Sequence, residues 1–162
     1  MNEKIINFIA SGFYISYIPD HFSKKKGKFR GCGLFGTLLA FLLYPLLPEK
    51  KLYLYIIVFL FIIFSVYVSH NAYRNGNQDD NPLIVIDEIS GYWFGFLFLN
   101  KSLINAIVLF IFFRFFDTIK PYPIKRLENL PHRGFAIVID DIIASFYATL
   151  LTYITVKIII VI

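Results

Sequence analysis

Residues 52–69 read Leu-Tyr-Leu-Tyr-Ile-Ile-Val-Phe-Leu-Phe-Ile-Ile-Phe-Ser-Val-Tyr-Val-Ser, eighteen positions without a charge. A bilayer-crossing helix needs about 20 mostly apolar residues, so this stretch meets the usual length for a span. β-Branched residues are abundant in it. In lipid, however, backbone groups must be satisfied within their own segment, and an open sheet would leave its edges unpaired. The stretch therefore predicts a helix.

Similar segments lie on either side. Residues 33–47 form a short one, closed by Pro45 and Pro48. Residues 83–99 and 103–119 are separated by Asn100-Lys101-Ser102, a natural turn of a helical hairpin. Residues 135–162 form the longest. Residues 3–22 are mildly amphipathic and aromatic, which suits a helix lying in the membrane interface. The expectation is an all-α integral membrane protein, a compact bundle of about four to five transmembrane helices with an N-terminal interfacial amphipathic helix. Residues 1–30 then form an interfacial helix and basic segment, and residues 31–162 a membrane-embedded domain.

Composition agrees. Of 162 residues, 57% are apolar or aromatic and 17% charged, against about 45–50% and about 25% in soluble domains. That argues against a water-soluble globule, a disordered chain or a disulfide scaffold. Cys32, the single cysteine, permits neither an internal disulfide nor a zinc cluster.

The few charges are unevenly placed. Residues 1–30, 73–86 and 120–134 hold eleven Lys and Arg, including the run Lys24, Lys25, Lys26, Lys28, Arg30. The turns at 49–51 and 100–102 hold three. The positive-inside rule makes the eleven-residue side cytoplasmic. Beside a span, a basic run interacts with anionic membrane lipids, and no nucleic-acid partner is expected. Five carboxylates, Asp87, Glu88, Asp117, Asp140 and Asp141, are embedded in apolar sequence at that same side. Each would cost roughly 2.5–3.5 kcal/mol at mid-bilayer, so such acids face a polar cavity and serve function.

They fall in three motifs. In Ile84-Val85-Ile86-Asp87-Glu88-Ile89-Ser90-Gly91, neighbouring carboxylates on a helix diverge by about 100°. One could bind a divalent metal while the other orients a water or an arginine; an acidic helix start is the plainer reading. Gly91 shares a face with Asp87 and leaves room for a headgroup or another helix. In Arg114-Phe115-Phe116-Asp117-Thr118-Ile119-Lys120-Pro121, the row Arg114, Asp117, Lys120 steps by three until Pro121 stops the helix. Arg114 and Lys120 suit a phosphate, and Asp117 could reach a metal or hold Arg114. In Ile139-Asp140-Asp141-Ile142, hard oxygen donors at a membrane boundary suit Mg²⁺ bridging to a phosphate. The chain has no G-x-S-x-G elbow, no P-loop and no Cys-x5-Arg loop.

Taken in order, Ile-Val-Ile-Asp87-Glu88-x-x-Gly91, Phe-Arg114-x-Phe-Asp117-x-x-Lys120-Pro121-x-Pro123 and Ile-x-x-Asp140-Asp141-x-x-Ala144 resemble the phosphatidylglycerophosphatase A family. The likeness runs from about residue 30 to the C-terminus. His70, loop residue Asp80 and Trp93 also fall at matching positions. Gly33-Leu34-Phe35-Gly36-Thr37 stands for the family's glycine-rich entry, with Leu34 where a threonine is usual. The resemblance implies a Mg²⁺-dependent, multi-pass enzyme of the bacterial cytoplasmic (inner) membrane. It would hydrolyse phosphatidylglycerophosphate to phosphatidylglycerol and inorganic phosphate at the cytoplasmic face. It implies Asp87, Asp117, Asp140 and Asp141 as metal ligands or nucleophile, with Glu88 as a catalytic partner. Arg114, Lys120, His70, Asp80 and Thr37 would bind substrate. The alternatives are another phospholipid headgroup enzyme, such as an alcohol phosphotransferase, and a small ion-transport subunit. The phosphotransferase motif D-G-x2-A-R-x8-G-x3-D-x3-D is missing, and the acids stop at one side of the membrane instead of crossing it.

Overall fold

The computed structural model describes residues 2–22, 31–76, 81–127 and 132–161, which form helices and turns with no strand among them. The helices are α1 (Glu3–Ala10), α2 (Tyr17–Phe22), α3 (Cys32–Leu43), α4 (Lys51–Gly76), α5 (Ile86–Gly95), α6 (Leu103–Ile119), α7 (Ile124–Leu127) and α8 (Arg133–Val161). A 3-10 turn, Tyr44–Leu46, follows α3 where Pro45 interrupts it. Ser102 starts α6 by accepting a hydrogen bond from the Asn105 amide. Lys120, in the left-handed region at φ 48°, ends it, and Pro121 could not have continued it.

Chain direction alternates from α3 to α6, and α8 runs parallel to α5 at the centre. At one end, Gly33, His70, Asp87, Arg114 and Gly134 come together from five helices. At the other, Lys51 donates to the carbonyls of Phe96, Leu97 and Leu99 at 3.0, 3.2 and 2.7 Å. Lys101 there donates to Pro45 O at 2.6 Å and to Leu47 O. These lysines satisfy carbonyls that the end of α5 and the turn after α3 leave open. Lys51→Met is expected to lower stability by about 1–2 kcal/mol through those orphaned acceptors. Thermal unfolding in detergent reads this, and the specific activity of the folded fraction should not change.

Between the two ends, Tyr92, Phe96, Leu109 and Phe113 are fully or almost fully buried with Ala40, Val58, Ala144 and Ala148. The Tyr92 hydroxyl donates to Ala106 O at 2.8 Å, and Trp93 Nε1 donates to Ala40 O at 3.0 Å. Both aromatics thus bury their rings without stranding a donor.

Among the described residues two helices are long and apolar enough to cross a membrane, over Lys51–Ala72 and Arg133–Ile159. Only 28% and 33% of their apolar windows are buried in the bundle, so neither resembles the core helix of a soluble protein. On α6, Ile107, Ile111, Phe115 and Ile119 form an exposed stripe at four-residue spacing. Apolar surface this extensive is that of a membrane protein. The bundle of four to five spans is met only in part. Helices α3, α5 and α6 have 12, 10 and 17 residues, or about 18, 15 and 25 Å at 1.5 Å per residue.

The N-terminal segment is two short helices, because Gly12, Phe13 and Tyr14 take φ of 59°, 60° and 65°, which no right-handed helix contains. Ile6 and Ala10 pack on Val68, Ala72, Ile84 and Ile86. Ala10 O accepts from the Val85 amide at 2.8 Å, and Ser16 Oγ donates to Leu83 O at 2.9 Å. The segment straps down the chain that leads into Asp87. The basic run at 24–30 lies outside the described residues.

Candidate active site

Asp87 and Glu88 occupy the first turn of α5, yet neither caps it. Val85 holds the N-cap position and no side chain bonds there. Both point into the bundle, where Asp141 of α8 meets them. One carboxylate oxygen from each of Asp87, Glu88 and Asp141 lies within 4.8 Å of the other two. Asp87 Oδ1, Glu88 Oε2 and Asp141 Oδ2 are buried without a hydrogen-bond partner.

Glycines allow this approach. A Cβ on Gly91 would stand 2.9 Å from Asp141 Cβ and 3.0 Å from the Phe113 ring. The room that the sequence reserves at Gly91 is therefore taken by another helix. A Cβ on Gly33 of α3 would overlap Glu88 Oε1 and lie 3.1 Å from Arg114 Nη1.

The remaining two acids are committed to cations. Asp117 Oδ2 lies 2.8 Å from Arg114 Nη1, an i, i+3 pair within α6. Asp140 Oδ2 lies 2.6 Å from Lys120 Nζ, and its Oδ1 accepts from the Asp141 amide at 3.0 Å. Lys120 thus leaves the helical row expected for it, because its left-handed backbone ends α6 and its amine reaches across to α8. Arg114 Nη1 also donates to Thr37 Oγ1 at 3.1 Å, and Thr37 donates to Gly33 O at 2.9 Å.

Burying three carboxylates together is unfavourable unless a cation accompanies them. Oxygen-only donors with unspent lone pairs fit a hard divalent ion such as Mg²⁺ or Ca²⁺, and not a thiolate- or imidazole-seeking metal. Arg114 and Lys120, with side chains 20% and 27% exposed, flank the cluster from the solvent side. The arrangement can hold a cation deep and an anion above it.

Of the other predicted residues, His70 is exposed near the end of α4, with its backbone against Gly134 of α8. Asp80 lies outside the described residues. Glu88 belongs to the converging trio, from which Asp117 and Asp140 are absent. The Thr37–Arg114 contact and the Gly33 cradle went unread in the sequence. The small residues at four-residue spacing in α3, Gly33 and Thr37, were their only trace.

A family model described as Phosphatidylglycerophosphatase A matches residues 8–156, which includes every residue of this site. The chain belongs to the phosphatidylglycerophosphatase A family. A phosphatidylglycerophosphatase A of Haemophilus influenzae is 31% identical over 121 residues, 74% of this chain and 73% of its own. One from Escherichia coli is 31% identical over 123 residues, 75% and 72% of the two chains. A Bacteroides thetaiotaomicron protein, provisionally described as a phosphatidylinositol-3-phosphatase, is 30% identical over 128 residues, 74% and 79% of the two. No solved structure matches the chain. Within the phosphatidylglycerophosphatase A family, then, the match begins in α1 and includes the strap over the entrance to α5.

Proposed function

We propose that this protein is a Mg²⁺-dependent lipid phosphatase that hydrolyses phosphatidylglycerophosphate to phosphatidylglycerol and inorganic phosphate. The observation that carries the reading is the trio Asp87, Glu88 and Asp141, whose buried oxygens have no partner, in a chain of this family. The bundle sits in the bacterial inner membrane with its polar end at the cytoplasmic face, as the eleven-to-three distribution of basic residues favours. Helices α3, α5 and α6 reach partway across, and the lysine-sealed carbonyls mark the opposite end. The basic run gathers anionic lipids near the entrance.

In this reading Asp87, Glu88 and Asp141 hold the ion. When bound, it supplies positive charge against the phosphoryl oxygens. Arg114 grips the phosphate, with Asp117 fixing its guanidinium. Lys120 adds a point charge whose position Asp140 sets. Phe113, fully buried against Gly91 where Asp141 approaches, excludes bulk water and strengthens each of these interactions.

The test is phosphate release by the purified full chain from phosphatidylglycerophosphate in mixed micelles. Activity should vanish in EDTA and return with Mg²⁺. Full activity in EDTA would overturn the metal assignment. The Bacteroides relative's description makes phosphatidylinositol 3-phosphate the second substrate to try, and faster turnover of that lipid would reassign the headgroup.

A further inference from the structure

Arg114 has five N–H donors in a planar fork. Its Nη1 is already engaged, donating to Thr37 Oγ1 at 3.1 Å and lying 2.8 Å from Asp117 Oδ2 in an ion pair. Among the described residues neither Nε nor Nη2 has a hydrogen-bond or ion-pair partner, so the Nε–Nη2 edge remains for a ligand. That edge presents two parallel N–H groups to two oxygens of one phosphate. Which edge is offered depends on rotation about the end of a long side chain. Asp117 alone cannot decide it, because its carboxylate turns about two side-chain bonds and can follow the guanidinium as it turns.

Thr37 can decide it. Its residue is fully buried, and its hydroxyl is fixed on both sides, donating to Gly33 O at 2.9 Å while accepting from Arg114. The donation uses its only hydrogen, so the oxygen has only acceptor capacity to offer Nη1. Gly33 completes the seat, since a side chain there would crowd Arg114 Nη1 and Glu88 Oε1 together. We infer that Thr37 is a positioning residue: from α3, it locks the Arg114 guanidinium so that its Nε–Nη2 edge faces the phosphate. This gives Thr37 no direct contact with substrate, and it rests on the proposed reading of Arg114 as the phosphate-binding group.

The experiment compares Thr37→Val, Thr37→Ala and Thr37→Ser in the purified full chain with Mg²⁺. It measures kcat and KM on phosphatidylglycerophosphate, and the inhibition constant of inorganic phosphate. Losing one hydrogen bond to a charged group is worth about tenfold. Thr37→Val and Thr37→Ala should therefore raise KM and the phosphate inhibition constant together by about tenfold, with kcat changed much less. Thr37→Ser, which keeps the hydroxyl, should recover both constants to within about twofold. A fold defect would instead lower kcat through the active fraction and leave the inhibition constant alone. In an Arg114→Lys background, Thr37→Val should add no further factor; a full additional tenfold would overturn the inference. So would unchanged constants in Thr37→Val and Thr37→Ala while Arg114→Lys is impaired. If Arg114→Lys itself keeps wild-type KM and phosphate inhibition, it is the phosphate-binding reading of Arg114 that fails.

Discussion

Asp141→Asn should lower phosphate release by about 10³-fold, while raising the melting temperature of the metal-free protein. The first effect follows from removing one of the three charged oxygens that would surround the proposed ion, where transition-state stabilisation is worth several kcal/mol. The second follows from the geometry of the trio. Three carboxylates within 4.8 Å, each with a buried and unpartnered oxygen, repel one another when no cation is present. Asparagine has the same shape and removes one of those charges. Asp140→Asn makes the contrast, because Asp140 is paired with Lys120 at 2.6 Å. That variant should melt lower with or without Mg²⁺. Activity assays and thermal unfolding in EDTA and in excess Mg²⁺ check both. Undiminished turnover by Asp141→Asn, or a lower metal-free melting temperature, would sink the site.

Gly134→Ala should cost about 100-fold in turnover together with about 1–3 kcal/mol of stability. A Cβ at Gly134 would lie 2.5 Å from the N, Cα and Cβ of His70. These atoms belong to or adjoin the backbone of α4, so no side-chain rotation relieves the clash and α8 has to move. Asp141 follows seven residues along α8, about 10 Å by helical rise. A shift at Gly134 is therefore transmitted to the cluster, where an error near 1 Å costs about 10² in rate. The sign is diagnostic. Gly→Ala within an exposed helix normally stabilises by up to about 1 kcal/mol, so a higher melting temperature with full activity would show that α4 and α8 do not meet there.

The helices were largely legible from periodicity and punctuation. The segment expected at 103–119 is α6 to the residue, because Ser102 and Pro121 bound it. The run at 52–69 extends to Lys51–Gly76, since polar residues at its end continue the helix beyond the apolar stretch. The segment at 83–99 shrinks to Ile86–Gly95, with turns on both sides of it. Hydropathy alone does not register those turns. At 3–22 the left-handed turn was invisible for the same reason: nothing about Phe13 or Tyr14 as residue types announces a positive φ.

The site divides in a similar way. Asp87, Glu88, Asp117, Asp140 and Asp141 stood out in the sequence by their cost in apolar surroundings, which is a local property. How they divide is not local. Asp117 and Arg114 share one helix turn, and their pairing could be read from spacing. Asp140 and Asp141 are adjacent, yet one turns to Lys120 and the other to Asp87 and Glu88. That choice depends on how α8 crosses α5 and α6.

By itself, then, the sequence determined a helical membrane protein with most of its acids and bases assigned to one side. Apolar length, proline stops and the cost of buried charge act within single segments. Only the tertiary structure decided which three carboxylates converge and which two serve the cations. Those contacts join segments up to 54 residues apart, from Asp87 to Asp141. They depend on helix approaches that Gly33, Gly91 and Gly134 make possible by having no side chain.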